Sequence, residues 1–384
     1  MKHWIVLLSS GCLIACSSNG ELSQKNENSV WSSAGLAVDY ADAENLGTGI
    51  ETVISVGEYL FARNDRQIDG KRRYQLFQGK VGSLFWKELE LPGGDVPNVL
   101  FADSGCLYVG TFFSPGGARL WIFDPEKEIW QREELPVVDR KYSISDPAYG
   151  IDGIAKFRGR LVLSFSHGMP GEKNPIYFES DDGTWKNWNR GFPLEESFIR
   201  AEEWNGSLFA MTYGNGVYRF DLSDTAWHAV PAPTVACENG DWNDSSMLAR
   251  DAVIEDNGLL VGYANLEGVF SLSSQGIWRQ KMECFLLDRE SDVSLISRTP
   301  ASVYRFVPFR GHYVALGEGS AVYSPGKNRW NDLPPISGVT EILDGTIVKD
   351  TLYVAAFQKG VMKLATSFLD SIIYTNTILS EVTK

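Results

Sequence analysis

The feature that most constrains this chain is a unit that recurs seven times: an apolar strand, a tight turn, a second apolar strand and, further on, a tryptophan. The unit is clearest in residues 198–233, which read FIRAEEWNGSLFAMTYGNGVYRFDLSDTAWHAVPAP. A spacing of roughly 40–55 residues between repeats of short strands predicts a propeller or a repeat array rather than unrelated domains. The predicted turns are Gly57–Glu58, Ser104–Gly105, Arg158–Gly159, Asn205–Gly206, Asn257–Gly258, Arg310–Gly311 and Lys349–Asp350.

Each repeat divides into four strands, lettered A to D: the turn joins A and B, C follows, and D begins at the tryptophan. Six repeats have such a tryptophan, and the last repeat, residues 340–364, lacks one. We expect residues 30–36 (VWSSAGL) to supply the missing strand D, which would close the ring and remove its open edge. Residues 371–377 (SIIYTNT) are the alternative closing strand. The strand D tryptophans are Trp86, Trp130, Trp185, Trp227, Trp278 and Trp330.

The predicted fold class is therefore all-β: a seven-bladed β-propeller of four-stranded antiparallel blades, closed by an N-terminal strand. It would occupy residues 30–368, followed by a C-terminal tail, residues 369–384. We expect the tryptophans to fill the space that widens between the outer strands of neighbouring blades, which is a structural role.

The first 29 residues carry a different pattern. Residues 1–15 are typical of a signal peptide, with Lys2 first, then an apolar run, then small residues. Leu13 to Cys16 (LIAC) resembles a bacterial lipobox, in which the cysteine is acylated; ordinary cleavage nearby, leaving a free thiol, is the alternative. Ser17 resembles the residue that follows the cysteine in lipoproteins of the outer membrane. Residues 16–29 are polar and predict a lipidated cysteine on a flexible tether of roughly 20 Å.

The charge of the chain limits its partners. The formal net charge is −14, and removing the leader, whose one charged residue is Lys2, makes it −15. Nucleic acids require compensating lysine and arginine, so this balance argues against them. It also argues against electrostatic docking on anionic lipid. The expected attachment to the membrane of the cell envelope is therefore the lipid itself.

Two of the repeats resemble a known family of propellers. Residues 205–220 (NGSLFAMTYGNGVYRF), with GTWKNWNRGFP one repeat earlier, resemble the Asp-box (BNR) superfamily of sialidases, sortilin-type receptors and photosystem II assembly factors. Residues 123–130 and 323–330 are closer to kelch-type repeats. The resemblance extends over residues 30–364, although SDDGTW at 180–185 is two residues short of an Asp-box. Asp-boxes stabilise turns, so the resemblance implies a fold rather than a reaction.

The strand order places the B–C and D–A connections on one face of the ring, where binding residues usually lie. Arg72 and Arg73 belong there to a basic hairpin tip, and His167 lies in one of its loops. Trp242 lies in another loop, where an exposed ring would suit a sugar or a partner protein. The long segments predicted on this face are 62–74, 112–119, 137–150, 166–175, 231–246 and 284–301.

Cys237 and Cys284 lie in the loops that follow strand D in two successive repeats. Disulfides persist outside the cytoplasm, so a bridge between these residues is expected, with two unpaired thiols as the alternative. The three histidines of the mature chain lie in three different repeats without the spacing of a metal site. No metal and no cofactor is predicted.

Sialidases hold the carboxylate of their sugar with an arginine cluster at the ring centre. Arg200 and Arg305 both lie six residues before a turn glycine, and Arg250 lies near the corresponding position. By this resemblance the three arginines are candidates for binding. No sialidase nucleophile or acid/base residue can be assigned, and no catalytic residue is predicted.

Two functions remain open on the sequence. The first is a lipid-anchored, non-enzymatic propeller that binds a protein partner or scaffolds an envelope complex through the face with the long loops. The alternative is a glycan-binding or carbohydrate-active, sialidase-like propeller. Convergence of the three arginines with a carboxylate and a tyrosine would favour the alternative, and dispersal over separate faces would favour the first.

Overall fold

The computed structural model confirms the seven-bladed propeller. Its strands, numbered in chain order, form seven antiparallel sheets of four strands each. The structure describes residues 30–36, 49–68, 71–112, 117–135, 149–167, 175–193, 195–233, 248–264, 268–281, 302–357 and 359–382.

The four-strand blades follow one another along the chain. Blade 1 comprises β2 (Gly49–Val56), β3 (Tyr59–Ile68), β4 (Lys71–Lys80) and β5 (Trp86–Glu88); blade 2 comprises β6 (Pro97–Asp103), β7 (Cys106–Thr111), β8 (Leu120–Asp124) and β9 (Ile129–Glu133); blade 3 comprises β10 (Tyr149–Phe157), β11 (Arg160–His167), β12 (Ile176–Glu179) and β13 (Trp185–Asn187); blade 4 comprises β14 (Phe198–Trp204), β15 (Ser207–Thr212), β16 (Val217–Asp221) and β17 (Ala226–Ala229).

The remaining blades complete the ring. Blade 5 comprises β18 (Ala249–Glu255), β19 (Gly258–Tyr263), β20 (Gly268–Ser273) and β21 (Trp278–Gln280); blade 6 comprises β22 (Val303–Phe309), β23 (His312–Gly317), β24 (Gly319–Ser324) and β25 (Arg329–Asp332); blade 7 comprises β26 (Ile342–Val348), β27 (Thr351–Ala356), β28 (Gly360–Ala365) and β1 (Ser32–Ser33); helix α1 (Thr366–Val382) follows.

The first strand of each blade lies at the centre of the ring. Each of these seven inner strands contacts the inner strands of both neighbouring blades, and β26 of the last blade contacts β2 of the first. The inner strands therefore surround the axial channel that is typical of propellers. We call the side with the A–B and C–D turns the short-turn face, and the side with the B–C and D–A connections the long-loop face.

The N-terminal strand closes the ring, as the sequence predicts. Ser32 pairs with Lys363 and Ser33 with Met362, so β1 is the outer strand of blade 7. The alternative closing strand, residues 371–377, is wrong because these residues belong to α1. The helix buries Leu369 and Ile373 against blades 6 and 7, and Asp370 pairs with Arg310 in the A–B turn of blade 6. The helix thus covers part of the short-turn face.

The strand D tryptophans connect each blade to the one before it. Trp31, beside the closing strand of blade 7, brings their number to seven. Six of these indole Nε1–H groups donate to a backbone carbonyl just beyond strand D of the preceding blade, at N···O distances of 2.5–3.1 Å. The rings therefore pack between blades and also form a repeated hydrogen bond across the blade interface. The donor–acceptor pairs are Trp31–Pro334, Trp86–Ala34, Trp185–Glu134, Trp227–Trp188, Trp278–Pro231 and Trp330–Lys281.

One sequence assignment needs correction. The fifth A–B turn is Asp256–Asn257, one residue earlier than predicted, because β19 already begins at Gly258. Asp256 itself adopts a positive φ of 35°. The segment 62–74 forms a long hairpin, in agreement with the hairpin tip predicted there, since β3 and β4 remain paired out to Ile68 and Lys71.

Candidate functional site

A β-bulge recurs at the same place in all seven inner strands. Each inner strand slips by one residue against its neighbour, near its start and hence towards the long-loop face. Bulges redirect side chains and are frequent beside functional sites. Here they create two side-chain layers at one end of the axial channel. The bulged residues are Glu51, Asn98, Asp152, Ile199, Arg250, Tyr304 and Leu343.

The residues directly after the bulges form the inner layer, and in blades 4 to 7 they are charged. Arg305 Nη1 lies 3.4 Å from Asp251 Oδ2, and its Nε lies 3.2 Å from Asp344 Oδ1, without hydrogen-bond alignment. Arg200 Nη2 lies 3.5 Å from Asp344 Oδ2. Arg200 belongs to blade 4 and Asp344 to blade 7, so this ion pair crosses the channel. We call these four residues the channel cluster.

The channel cluster is balanced in charge, with two arginines against two aspartates. The aspartate side chains are only 4% and 5% exposed, whereas those of Arg305 and Arg200 are 26% and 30% exposed. Backbone N–H groups of Phe306 and Gly345 donate to Asp251 and Asp344 respectively. Burial opposes the charge of Arg305, but Asp251, Asp344 and Glu202 outweigh it and raise its pKa. The aspartates therefore already pair with the two arginines to which a carboxylate ligand would otherwise bind.

Glu202 lies two residues further along β14 than Arg200, next to the same cluster. Burial, and then the negative charge of Asp251, raise its pKa from 4.5 to about 7, although Arg305 acts in the opposite direction. The folded protein is therefore more stable with Glu202 protonated than with Glu202 ionised.

We expect Glu202→Gln to change the pH dependence of stability. A carboxyl group with a raised pKa stabilises the fold fully below pH 4.5 and loses this contribution as pH rises through about 7. From the lower to the upper end of that window, the wild type should lose up to about 3 kcal/mol of unfolding free energy relative to Glu202→Gln. Urea unfolding at both ends measures the difference. Glu126→Gln, at an exposed position, is the control, and parallel pH profiles of the wild type and Glu202→Gln would contradict the prediction.

The bulged residues of blades 5 and 6 form a stack at the mouth of the channel. The Arg250 guanidinium lies 4.4 Å from the ring centre of Tyr213 and 5.6 Å from that of Tyr304. Burial, and then the carboxylates Glu341 and Glu318, raise the pKa of Tyr304 to about 12. Tyr213 lies in the B–C connection of blade 4 and is 56% exposed. We call Tyr213, Arg250 and Tyr304 the mouth stack.

The opposite side of the mouth is closed by hydrogen bonds between blades 2, 3 and 4. Asp152 accepts from Asn98 Nδ2 at 3.0 Å and from Ser197 Oγ at 2.7 Å. Burial raises the pKa of Asp152 in spite of these donors. Because these polar groups already form hydrogen bonds with one another, this side is a weaker candidate for ligand binding than the mouth stack.

The structure brings together the three arginines that the sequence proposes. Arg200 and Arg305 occupy equivalent positions in the inner layer, and Arg250 lies one residue earlier in register, at the mouth. All three therefore share one end of the channel, with Tyr304 nearby, which is the arrangement expected of the glycan-binding alternative. The aspartates supply the carboxylate that this alternative also calls for, but they pair with Arg200 and Arg305, and this pairing opposes the binding of a sugar carboxylate.

The other predicted site residues do not contribute to this cluster in the described part of the chain. Arg73 is exposed on β4 of the long hairpin, where its backbone pairs with Arg66. Arg72 lies in the same strand and His167 ends β11, but their side chains lie outside the described residues. The remaining predictions fall wholly outside the described residues: Cys16, Cys237, Trp242 and Cys284.

Sequence reasoning missed both aspartates of the channel cluster, although a signal for them exists. Arg200, Arg305 and Asp344 each lie five residues before the first residue of their A–B turn. With the fifth turn placed correctly at Asp256–Asn257, the same count leads to Asp251. With the turn placed one residue later, the count leads to Ala252, and Arg250 is chosen because it is the nearby arginine.

A separate cavity of about 210 Å³ lies on the short-turn face between blades 4 and 5. Trp204, Ser273 and Gly276 form part of its wall, together with two basic side chains. Each of these already has a carboxylate partner, since Arg219 pairs with Asp221 and His228 with Asp224. The cavity is therefore a weaker candidate than the channel mouth.

Within the described ranges, no group of three or more histidine, cysteine, aspartate or glutamate side chains is arranged to hold a metal ion. Nor does that part of the chain contain a helix with the length and hydropathy needed to span a bilayer.

Comparison with known proteins gives a fold resemblance at most. No family model matches the chain, and no curated protein matches it. Among solved structures, the chain is similar to the crystal structure of the computationally designed Ika8 protein, with 10% sequence identity and a TM-score of 0.48. The match covers 84% of this chain and 98% of that one. The assignment of the fold therefore rests on the seven sheets themselves.

Proposed function

We propose that this chain is a lipid-anchored, non-catalytic propeller of the cell envelope that binds a protein partner at the channel mouth on its long-loop face. The observation that carries the proposal is the mouth stack, in which Tyr213 is 56% exposed yet held against Arg250. Tyrosine and arginine dominate the energetic centres of protein interfaces. A ring already fixed by a cation loses little conformational freedom when a partner binds.

The charge balance of the channel supports a protein ligand over an acidic sugar. A sugar carboxylate would need arginine N–H groups, and those of Arg200 and Arg305 face Asp344 and Asp251. Breaking such buried pairs costs several kcal/mol. A protein partner can instead bind the exposed ring of Tyr213 and leave the channel cluster intact.

Glycan binding remains the second candidate, because the three arginines and Tyr304 do meet at one end of the channel. A crosslinking experiment distinguishes the two candidates. If the ligand is a protein, crosslinking in intact cells, followed by purification from detergent-solubilised membranes, should yield a stoichiometric partner whose crosslinks map to the long-loop face. Without such a protein, binding of the purified propeller to a glycan array would support the alternative.

Tyr213→Ala is expected to weaken the captured complex about thirtyfold, the effect of losing roughly 2 kcal/mol at an interface centre. Titration of the purified partner against the wild type and the variant measures the ratio. Tyr374→Ala is the matched control, because Tyr374 is 64% exposed but lies on α1, which packs against the short-turn face. Equal weakening by both variants would contradict a site at the channel mouth.

A further inference from the structure

Exposed apolar side chains recur at one position of the repeat. The residue directly before the strand D tryptophan is apolar and exposed in four of the seven blades. Exposure is 77% for Phe85 in blade 1, 50% for Ile129 in blade 2, 53% for Ile277 in blade 5 and 37% for Val30 in blade 7. In blades 1, 2 and 5 this position lies beside the C–D turn, and in blade 7 it lies at the same end of strand D, and thus on the short-turn face.

Three of these four residues lie on consecutive blades. Blades 7, 1 and 2 are neighbours in the ring, and Leu84, beside Phe85, is itself 63% exposed. We call Val30, Leu84, Phe85 and Ile129 the apolar rim. Blades 7 and 1 are also joined by a hydrogen bond from Trp86 to the carbonyl of Ala34, which follows β1.

Lysines flank the apolar rim. Lys80 precedes the C–D turn of blade 1 and is exposed. Lys127 precedes strand D of blade 2, pairs with Asp124 and has a side chain that is 70% exposed. Lys87 lies just after Phe85 and pairs with Glu128 at 2.5 Å. Apolar side chains that enter the acyl region, beside lysines whose ammonium groups stay among the headgroups, are typical of surfaces that rest on a bilayer.

The position of Val30 indicates which surface meets the membrane. The described part of the propeller begins at this residue of the rim, and residues 17–29 separate it from Cys16. A polar chain of this length has an average span of roughly 20 Å. An acylated Cys16 would therefore hold this side of the ring, rather than the long-loop face, next to the lipid.

We propose that the apolar rim of blades 7, 1 and 2 lies on the lipid bilayer, so that the long-loop face and the channel mouth point away from the membrane. This inference rests on the lipid anchor of the proposed function. It does not require a basic protein, because the contact is apolar and confined to one side of the ring.

Site-specific photocrosslinking tests the proposal in the full-length chain. Benzoylphenylalanine is introduced at Phe85 or, as a matched control, at Ile277, in a bacterial host that acylates lipoproteins. Ile277 occupies the same register, is similarly exposed and lies across the ring in blade 5. After irradiation, phospholipid adducts are counted by mass spectrometry. We expect severalfold more lipid adduct at position 85 than at position 277, and loss of both in a Cys16→Ala background.

The other outcomes are distinct from one another. Equal lipid adducts at both positions, or none, in a protein that fractionates with the membrane would overturn the rim contact and leave the anchor intact. Protein adducts at position 85 would show that another protein covers the rim, and would overturn the bilayer as its occupant. Full-length protein that fractionates as soluble, like Cys16→Ala, would overturn both the anchor and the orientation.

Discussion

Replacing Trp31 with alanine is expected to lower the free energy of unfolding by about 3–5 kcal/mol, the usual cost of truncating a buried tryptophan. Trp31 is 4% exposed and packs in the core shared by blades 6 and 7. Its indole also donates to the carbonyl of Pro334 at 2.8 Å. Because β1 contributes only two paired residues, this side chain is the main attachment of the closing strand. Equilibrium unfolding in denaturant, in the Cys16→Ala background, measures the loss.

Two further variants at the same site separate packing from hydrogen bonding. Trp31→Phe keeps a large ring but loses the N–H donor, and should cost about 1 kcal/mol for that bond on top of the smaller ring. Val30→Ala, one residue earlier and 37% exposed, should stay within about 0.5 kcal/mol of the wild type. If Trp31→Ala were as stable as Val30→Ala, closure of the ring through β1 would not contribute to stability.

Asp344→Asn is expected to destabilise the propeller by about 3 kcal/mol, because it leaves Arg200 and Arg305 beside a neutral group inside the channel. This is the lower end of the range for buried pairs, since both arginines keep some contact with water. Adding Arg200→Met to Asp344→Asn restores the balance of charge and should recover part of the loss. Denaturant unfolding of the single and double variants gives the coupling between the two residues.

The control for this prediction is an ion pair of the same kind at the surface. Arg160 and Asp181 lie 3.2 Å apart, and the side chain of Asp181 is 98% exposed. Exposed pairs contribute at most about 1 kcal/mol, so Asp181→Asn should have little effect. A loss for Asp344→Asn no larger than that for Asp181→Asn would show that the channel cluster is not a stabilising element.

The fold was predictable because its evidence is local and repeated. Seven turns, six tryptophans and one orphan WSSAGL segment are enough to count the blades and to identify the closing strand. The helical nature of residues 371–377 was also readable, because Phe368, Leu369, Ile372 and Ile373 recur at the spacing of a helix face. Asn257–Gly258 misled because that dipeptide is a strong hairpin signal, whereas the turn lies one residue earlier.

The candidate site was predictable only in part, because its pairings are not local. Spacing from the turn identifies Arg200 and Arg305 as equivalent, but no spacing shows that Arg200 reaches Asp344 on the far side of the channel. The β-bulge in β18 directs the side chain of Arg250 onto Tyr213 and that of the next residue, Asp251, towards Arg305. Exposure of Phe85 and its neighbours likewise depends on the packed ring, since the same register holds a buried residue, Ala226, in blade 4.

Closure of the ring requires β1 to pair with the last strand of the chain, so this step of folding comes late. The strand that completes blade 7 is synthesised first and its partner β28 last, and the Trp31–Pro334 bond joins residues 303 apart in the chain. Contacts of such separation form slowly, because the intervening loop must first be closed. Until β28 has been synthesised, β1 has no partner to pair with, and once β26 to β28 have formed, β28 exposes an edge to other chains until β1 docks. We therefore expect aggregation to begin at the unpaired edge of β28, before β1 docks, rather than during the assembly of any single blade.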